Sequence, residues 1–123
     1  MNADEQALVN GLGAVLRGAD DLRRPPWRGS PNYVAGHCYV VSEAFYHLTG
    51  GADSPWRPMQ VRHEDSSHWF LRHRETDEIL DLTALQFDTP VPYDEARGKG
   101  FLTRQPSRRC RVMIRRLPGT LVK

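Results

Sequence analysis

The hydrophobic pattern of this 123-residue chain changes period twice, and that change restricts its fold more than any other feature. Val40, Val41, Ala44, Phe45 and Leu48 recur at intervals of one, three and four, the repeat of a helix with one buried side. From residue 57 the period drops to two. In "RPMQVRH" Met59, Val61 and His63 alternate with Gln60 and Arg62, which is the spacing of a half-buried strand. "HWFLR" and "EILDL" are two further short strands on either side of the turn-forming "HRET". The helical period returns in "PSRRCRVMIRRL". There Cys110, Met113, Ile114 and Leu117 stand at i, i+3, i+4 and i+7 behind Ser107, a favoured N-cap residue. Helix, strands, then helix predicts an α+β fold, a small antiparallel sheet packed against helices.

Punctuation divides the rest of the chain. Asn2 and Glu5 have capping-box spacing, and Leu8, Val9, Leu12, Val15 and Leu16 follow at helical intervals. A helix over about residues 3–17 is expected, ending at Gly18 and packed as a lid. "RRPPWRGSPN" is a proline-rich connector that can form neither helix nor strand. The next helix is expected over 39–48, closed by Gly50 and Gly51. "FDTPVPYDEARGKG" reads as loop. One domain over 1–123 accommodates these parts: an N-terminal helix within 1–20, a core over 32–87, and a basic loop with a C-terminal helix over 97–118.

Composition narrows the class. With 39% hydrophobic and 26% charged residues the chain is of ordinary globular type, and its apolar runs are too short to span a bilayer. "MNADEQALVN" has no basic segment followed by an apolar one, so a cytoplasmic location and no membrane partner are expected. Cys38 and Cys110 belong to no CxxC pair and to no zinc-ligand spacing; neither metal nor cofactor is expected. The net charge is only +2, yet residues 97–116 hold eight basic side chains and no acidic one. Two readings stand for this region. One is a solvated helix face; the other is a contact for anions, in which Arg104, Arg108 and Arg111 meet an anionic substrate or partner, nucleic acid among the candidates. The glycines of "RGKGFLTRQPSRR" would let backbone N–H groups approach such an anion.

Chemistry concentrates around Cys38. Gly36 allows a tight turn into the helix, so Cys38 falls at its first turn, where unpaired N–H groups favour a thiolate and an oxyanion alike. If residues 73–76 form the hairpin loop, Arg72 faces Asp77, Phe70 faces Ile79 and His68 faces Asp81. Asp81 then orients His68 for proton transfer with Cys38, while Trp69, Leu71, Leu80 and Leu82 line the other, buried side. Asn32, Tyr33, His37 and Trp69 are the candidates for contacting a substrate. His63 and His73 receive no role, and Cys110 is expected to be a structural thiol on its helix's apolar face.

The order of these residues resembles a known superfamily. A cysteine followed by an aromatic at a helix start, then a strand, then "HWF", then "LDLT" is similar to the core of transglutaminase-like and papain-like cysteine hydrolases, NlpC-type peptidases included. The resemblance covers roughly residues 32–87. It implies a catalytic triad of Cys38, His68 and Asp81, with Thr83 completing the Asp-x-Thr sequence, and acyl transfer or amide or ester hydrolysis through a thioester on Cys38. A peptide, amide or ester substrate is the implied partner. Two other readings stay open: an inactive binding or inhibitor module on the same scaffold, and a nucleic-acid-associated protein acting through the arginine-rich end.

Overall fold

The computed structural model describes residues 1–23, 25–29 and 36–121. Three helices pack against a four-stranded sheet, as the two period changes predict: α1 (Ala3–Leu16), α2 (Cys38–Leu48) and α3 (Arg108–Arg115), with β1 (Trp56–His63), β2 (Ser66–His73), β3 (Ile79–Leu80) and β4 (Arg97–Gly98). The sheet order is β3-β2-β1-β4 and every pairing is antiparallel.

α1 and α3 start where their capping chemistry dictates. Asn2 accepts a hydrogen bond from the Glu5 N–H at 2.8 Å and Glu5 accepts one from the Asn2 N–H at 3.0 Å, so the capping box is complete. Ser107 caps α3 by accepting from Cys110 N–H at 3.2 Å. α2 begins one residue earlier than its apolar repeat suggests, with Cys38 as its first residue. The cause lies just before it. Gly36 has φ +81°, and a Cβ there would come within 2.5 Å of Trp27 Cβ, so only glycine makes this entry turn.

β1 and β2 form a hairpin across a two-residue turn, Glu64 and Asp65, both with positive φ (47° and 63°) as a type I′ turn requires. Neither residue is the usual glycine or asparagine, so nothing in the sequence advertised this hairpin. The next connection differs from expectation by a slip of two. Leu71 pairs with Leu80 and Arg72 with Ile79, because the turn is closed at His73 and Glu78 by a 2.8 Å backbone bond and occupies residues 74–77 rather than 73–76. β3 is two residues long, not five. β4 lies inside the stretch read as loop and pairs with Met59 and Gln60 of β1.

The main core lies between the helices and one face of the sheet. Leu12, Leu16, Ala44, Phe45, Trp56, Leu71, Cys110 and Met113 are buried in it. α1 is therefore a full contributor to this core, more than the lid expected of it. A second, smaller cluster of Met59, Val61 and Phe70 occupies the opposite face under Ile79, Val91 and Tyr93. One carboxylate sits within the helix packing. Glu43 is 0% exposed and accepts from Ser107 N–H at 2.9 Å and Ser107 Oγ–H at 2.6 Å. That pair fastens the N-terminus of α3 to the middle of α2.

Ser107→Ala removes both the cap of α3 and a donor to a buried carboxylate. Urea unfolding is expected to show a loss of about 1–2 kcal/mol. An unchanged midpoint would show that this junction holds nothing.

Candidate active site

β2 is longer than its partner β3, and the site grows from that mismatch. β3 pairs only with Leu71 and Arg72, which leaves the edge of β2 before them without a strand. α2 runs along this edge instead. Ser42 Oγ donates to the Trp69 carbonyl at 3.4 Å, and Cys38 Sγ lies 4.0 Å from the Ser67 carbonyl. Residues four apart on a helix and two apart on a strand have nearly the same rise, about 6 and 7 Å, so the two side chains match alternate carbonyls. The helix start is thereby held against the strand segment that carries His68.

His68 is fully buried, between Phe87 at an edge-to-face centroid distance of 4.7 Å and Phe70 stacked at 6.1 Å. Its Nε2 donates to Asp81 Oδ2 at 2.6 Å. The Asp81 side chain is 3% exposed and well supplied with donors. Tyr93 O–H donates to Oδ2 at 2.8 Å and Thr83 N–H to Oδ1 at 3.2 Å. A buried carboxylate needs such partners to keep its charge. Thr83, the third residue of "DLT", thus anchors the turn after β3 through its backbone.

Burial works against a charge on His68, but it is outweighed by the hydrogen bond the ring donates to Asp81, by the Cys38 sulfur beside the ring, and by the electrostatic influence of both neighbours. The imidazole pKa is raised from 6.5 to about 9. With Nε2 committed to Asp81, Nδ1 is the nitrogen free to exchange a proton with Cys38. It is buried and makes no hydrogen bond of ordinary geometry among the described residues. Tyr93 is held above its usual range by burial and by the Asp81 charge, so it remains a neutral donor. The arrangement can therefore hold a proton on His68 next to a sulfur, with a fixed negative charge behind it.

The other expected site residues separate. Trp69 lines a cavity of about 330 Å³ together with Tyr39 and Ser67, the neighbours in sequence of Cys38 and His68. His37, expected to face substrate, is fully buried, and its Nε2 bonds the Ala19 carbonyl at 2.8 Å. It ties the start of α2 to the segment after α1. Asn32 and Tyr33 lie outside the described residues. Arg104, Arg108 and Arg111 are exposed, and none of them borders the cavity at Trp69. Arg109, on the half-buried side of α3, does so, and so does Lys99.

Tyr93 is the residue that sequence reasoning missed. It lies in a short 3-10 turn, twelve residues beyond its partner, and no periodicity marks it. Cys110 conforms to expectation: it is 0% exposed, and burial pushes its thiol up to about 12, with the Glu43 charge adding to the effect. Both cysteines are free thiols. Among the described residues no cluster of three His, Cys, Asp or Glu is placed to hold a metal ion, and no helix is long and apolar enough to cross a membrane.

The raised His68 value fixes a pH dependence of stability. Below pH 6.5 the ring is protonated in folded and unfolded chains alike, and its interactions stabilise the fold fully. Between 6.5 and about 9 the unfolded chain binds fewer protons than the folded one, so stability falls as pH rises through this window. Urea unfolding at both ends should show a larger loss for the native chain than for His68→Gln. Proton NMR should place the titration of His68 near 9; a midpoint at or below the ordinary value would disprove the ion-pair geometry. Comparison with known proteins brings out no match, whether to a family model, a curated protein or a solved structure.

Proposed function

We propose that this protein is a cysteine-dependent acyl-transfer enzyme acting on amides or esters, with Cys38 as nucleophile, His68 as general base and acid, and Asp81 as the group that orients and charges His68. One observation carries the reading: the 2.6 Å His68–Asp81 bond, set beside a thiol at a helix start, with the imidazole pKa raised to about 9. A structural histidine buried among Phe70 and Phe87 has no need of that combination, since burial by itself would make the ring neutral. The order Cys38, His68, Asp81 and the "DLT" sequence also resemble the transglutaminase-like and papain-like superfamily, which supports the same chemistry.

The steps follow from the positions. In the resting pair the proton of Cys38 is held on Nδ1 of His68, and Asp81 stabilises that imidazolium. The thiolate adds to the substrate carbonyl carbon, and unpaired N–H groups in the first turn of α2 receive the developing oxyanion. Collapse of the tetrahedral adduct breaks the bond to the leaving amine or alcohol, which takes the proton from His68. A thioester on Cys38 remains. Water or an amine, deprotonated by His68, attacks it and restores the thiol.

A second reading has its own support. Cys38 is only 5% exposed, and its sulfur faces the Ser67 carbonyl, which suits a neutral thiol in a scaffold that binds without reacting. Iodoacetamide separates the two at neutral pH. The enzyme reading expects alkylation of Cys38, found by peptide mapping, while Cys110 stays unmodified. His68→Ala should slow that alkylation by tenfold or more. Equal rates in the native chain and the variant would leave the binding-module reading standing.

A further inference from the structure

We propose that the uncovered end of the sheet's helix-side face is a binding surface for single-stranded nucleic acid. Arg62, Arg97, Lys99 and Arg109 meet its phosphates, and Tyr39, Trp69 and Leu102 meet its bases. The proposal goes beyond the acyl-transfer reading and does not depend on Cys38.

The strand register puts the sheet residues on one side. Arg97 of β4, Gln60 of β1 and Trp69 of β2 are directly opposed across three strands, and Arg62 opposes Ser67 in the next row. Opposed residues share a face, as do residues two apart on one strand. Lys99 N–H carries the β1–β4 ladder on to the Pro58 carbonyl at 3.1 Å, so Lys99 follows Arg97 on that side. Trp56 stands four residues before Gln60 on the same face and is buried in the helix-packed core. The helices thus cover one end of the face and leave the other open: Trp56 is 0% exposed, Gln60 is half-buried and Arg62 is exposed.

Two cavities mark the open end. Gln60, Arg62, Arg97 and Lys99 border one of about 510 Å³; Gln60, Lys99, Trp69, Tyr39 and Arg109 border one of about 330 Å³. Four cations line them against a single carboxylate, Glu95, among the described residues. None of the four cations forms an ion pair among those residues. Arg109 donates one N–H to the Leu22 carbonyl at 3.1 Å, which steadies its guanidinium and leaves further donors for a ligand. Arg62 and Arg97 stand diagonally across the β1–β4 pair, about 7–8 Å apart by ordinary sheet geometry, where like charges repel. A ligand with repeated negative charge relieves that repulsion. Arg104, Arg108 and Arg111, the anion contacts expected from the sequence, border neither cavity.

Apolar groups decide between polyanions. Tyr39 and Trp69 line the smaller cavity together with Leu102, which is 85% exposed. The two rings are held in place: the Tyr39 hydroxyl oxygen accepts from Leu102 N–H at 2.7 Å, and Phe101 stacks on Trp69 at 5.4 Å. A single strand brings flat apolar bases to such groups and phosphates to the cations beside them. A duplex keeps its bases stacked inside, and an acidic peptide brings carboxylates without a flat apolar surface.

Fluorescence anisotropy with a labelled decathymidylate tests the surface. Binding is expected at about 50 mM salt and should weaken steeply toward about 200 mM. Arg62→Gln with Arg97→Gln should weaken it about tenfold or more, and Lys99→Gln about fivefold, with the salt slope reduced by about 0.7 per charge removed. Arg62→Lys with Arg97→Lys, which keeps the charges, should bind within about threefold of the native chain, and Arg104→Gln with Arg111→Gln within about twofold. No binding at about 50 mM salt, or an equal loss in all three double variants, overturns the surface. Tighter binding of a duplex, or stronger competition by a glutamate-rich decapeptide than by unlabelled decathymidylate, overturns the single-strand assignment.

Discussion

The site depends on a strand that outruns its neighbour. β2 has a full partner in β1, but β3 covers only two of its residues on the other side. An uncovered strand edge presents backbone groups that must find partners or stay in water. Here α2 takes that place, through Ser42 and Cys38 over the carbonyls of Trp69 and Ser67. A longer β3 would satisfy the same carbonyls and leave no room for the helix start. The truncated strand thus brings a thiol from one element to an imidazole on another. It also frees residue 81 from the sheet, so that the turn beyond β3 can aim its carboxylate at Nε2.

Glu43 solves a related problem in the opposite layer. A fully buried carboxylate would ordinarily need a cation, and none of the arginines of α3 pairs with it. It is satisfied instead by the N–H and O–H of Ser107, where the positive end of the α3 dipole also lies. The contact sets the orientation of α3 on α2, and with it the position of Arg109 relative to Tyr39. Burial, with the nearby Glu43 adding to it, meanwhile holds the Cys110 thiol in its protonated form. Two cysteines in one small chain consequently meet opposite surroundings: one beside a carboxylate and hydrocarbon, the other beside an imidazole with a counter-ion.

Much of this was legible in the sequence because side-chain periods survive small errors. The hairpin register was misjudged by two residues, and a slip of two returns every side chain to its original face. His68 and Asp81 therefore still met, although not as the directly opposed pair expected. A slip of one would have separated them. The capping signals of Asn2 and Ser107 were reliable because they act within three residues. What escaped was governed by longer distances. Tyr93 reaches Asp81 from an irregular segment, and Glu43 sits at a helix position where a polar residue reads as solvent-facing. His37, next to Cys38, was a candidate substrate contact, but its bond to the Ala19 carbonyl, eighteen residues back, turns it inward.

The surroundings of Asp81 argue hardest against a purely structural role for the cluster. A fold that only needed to fill this space could do so with apolar side chains at no desolvation cost, and replacing buried ion pairs in that way is often neutral or stabilising. Instead the chain recruits donors from three elements to keep one carboxylate charged: His68 from β2, Thr83 from the turn after β3, and Tyr93 from the segment beyond. Tyr93 and Thr83 satisfy Asp81 whatever the state of His68, so the carboxylate stays in place while the ring gains or loses its proton. A carboxylate held in place independently of its histidine is what the proposed proton transfer would require, and it is more than packing alone would need.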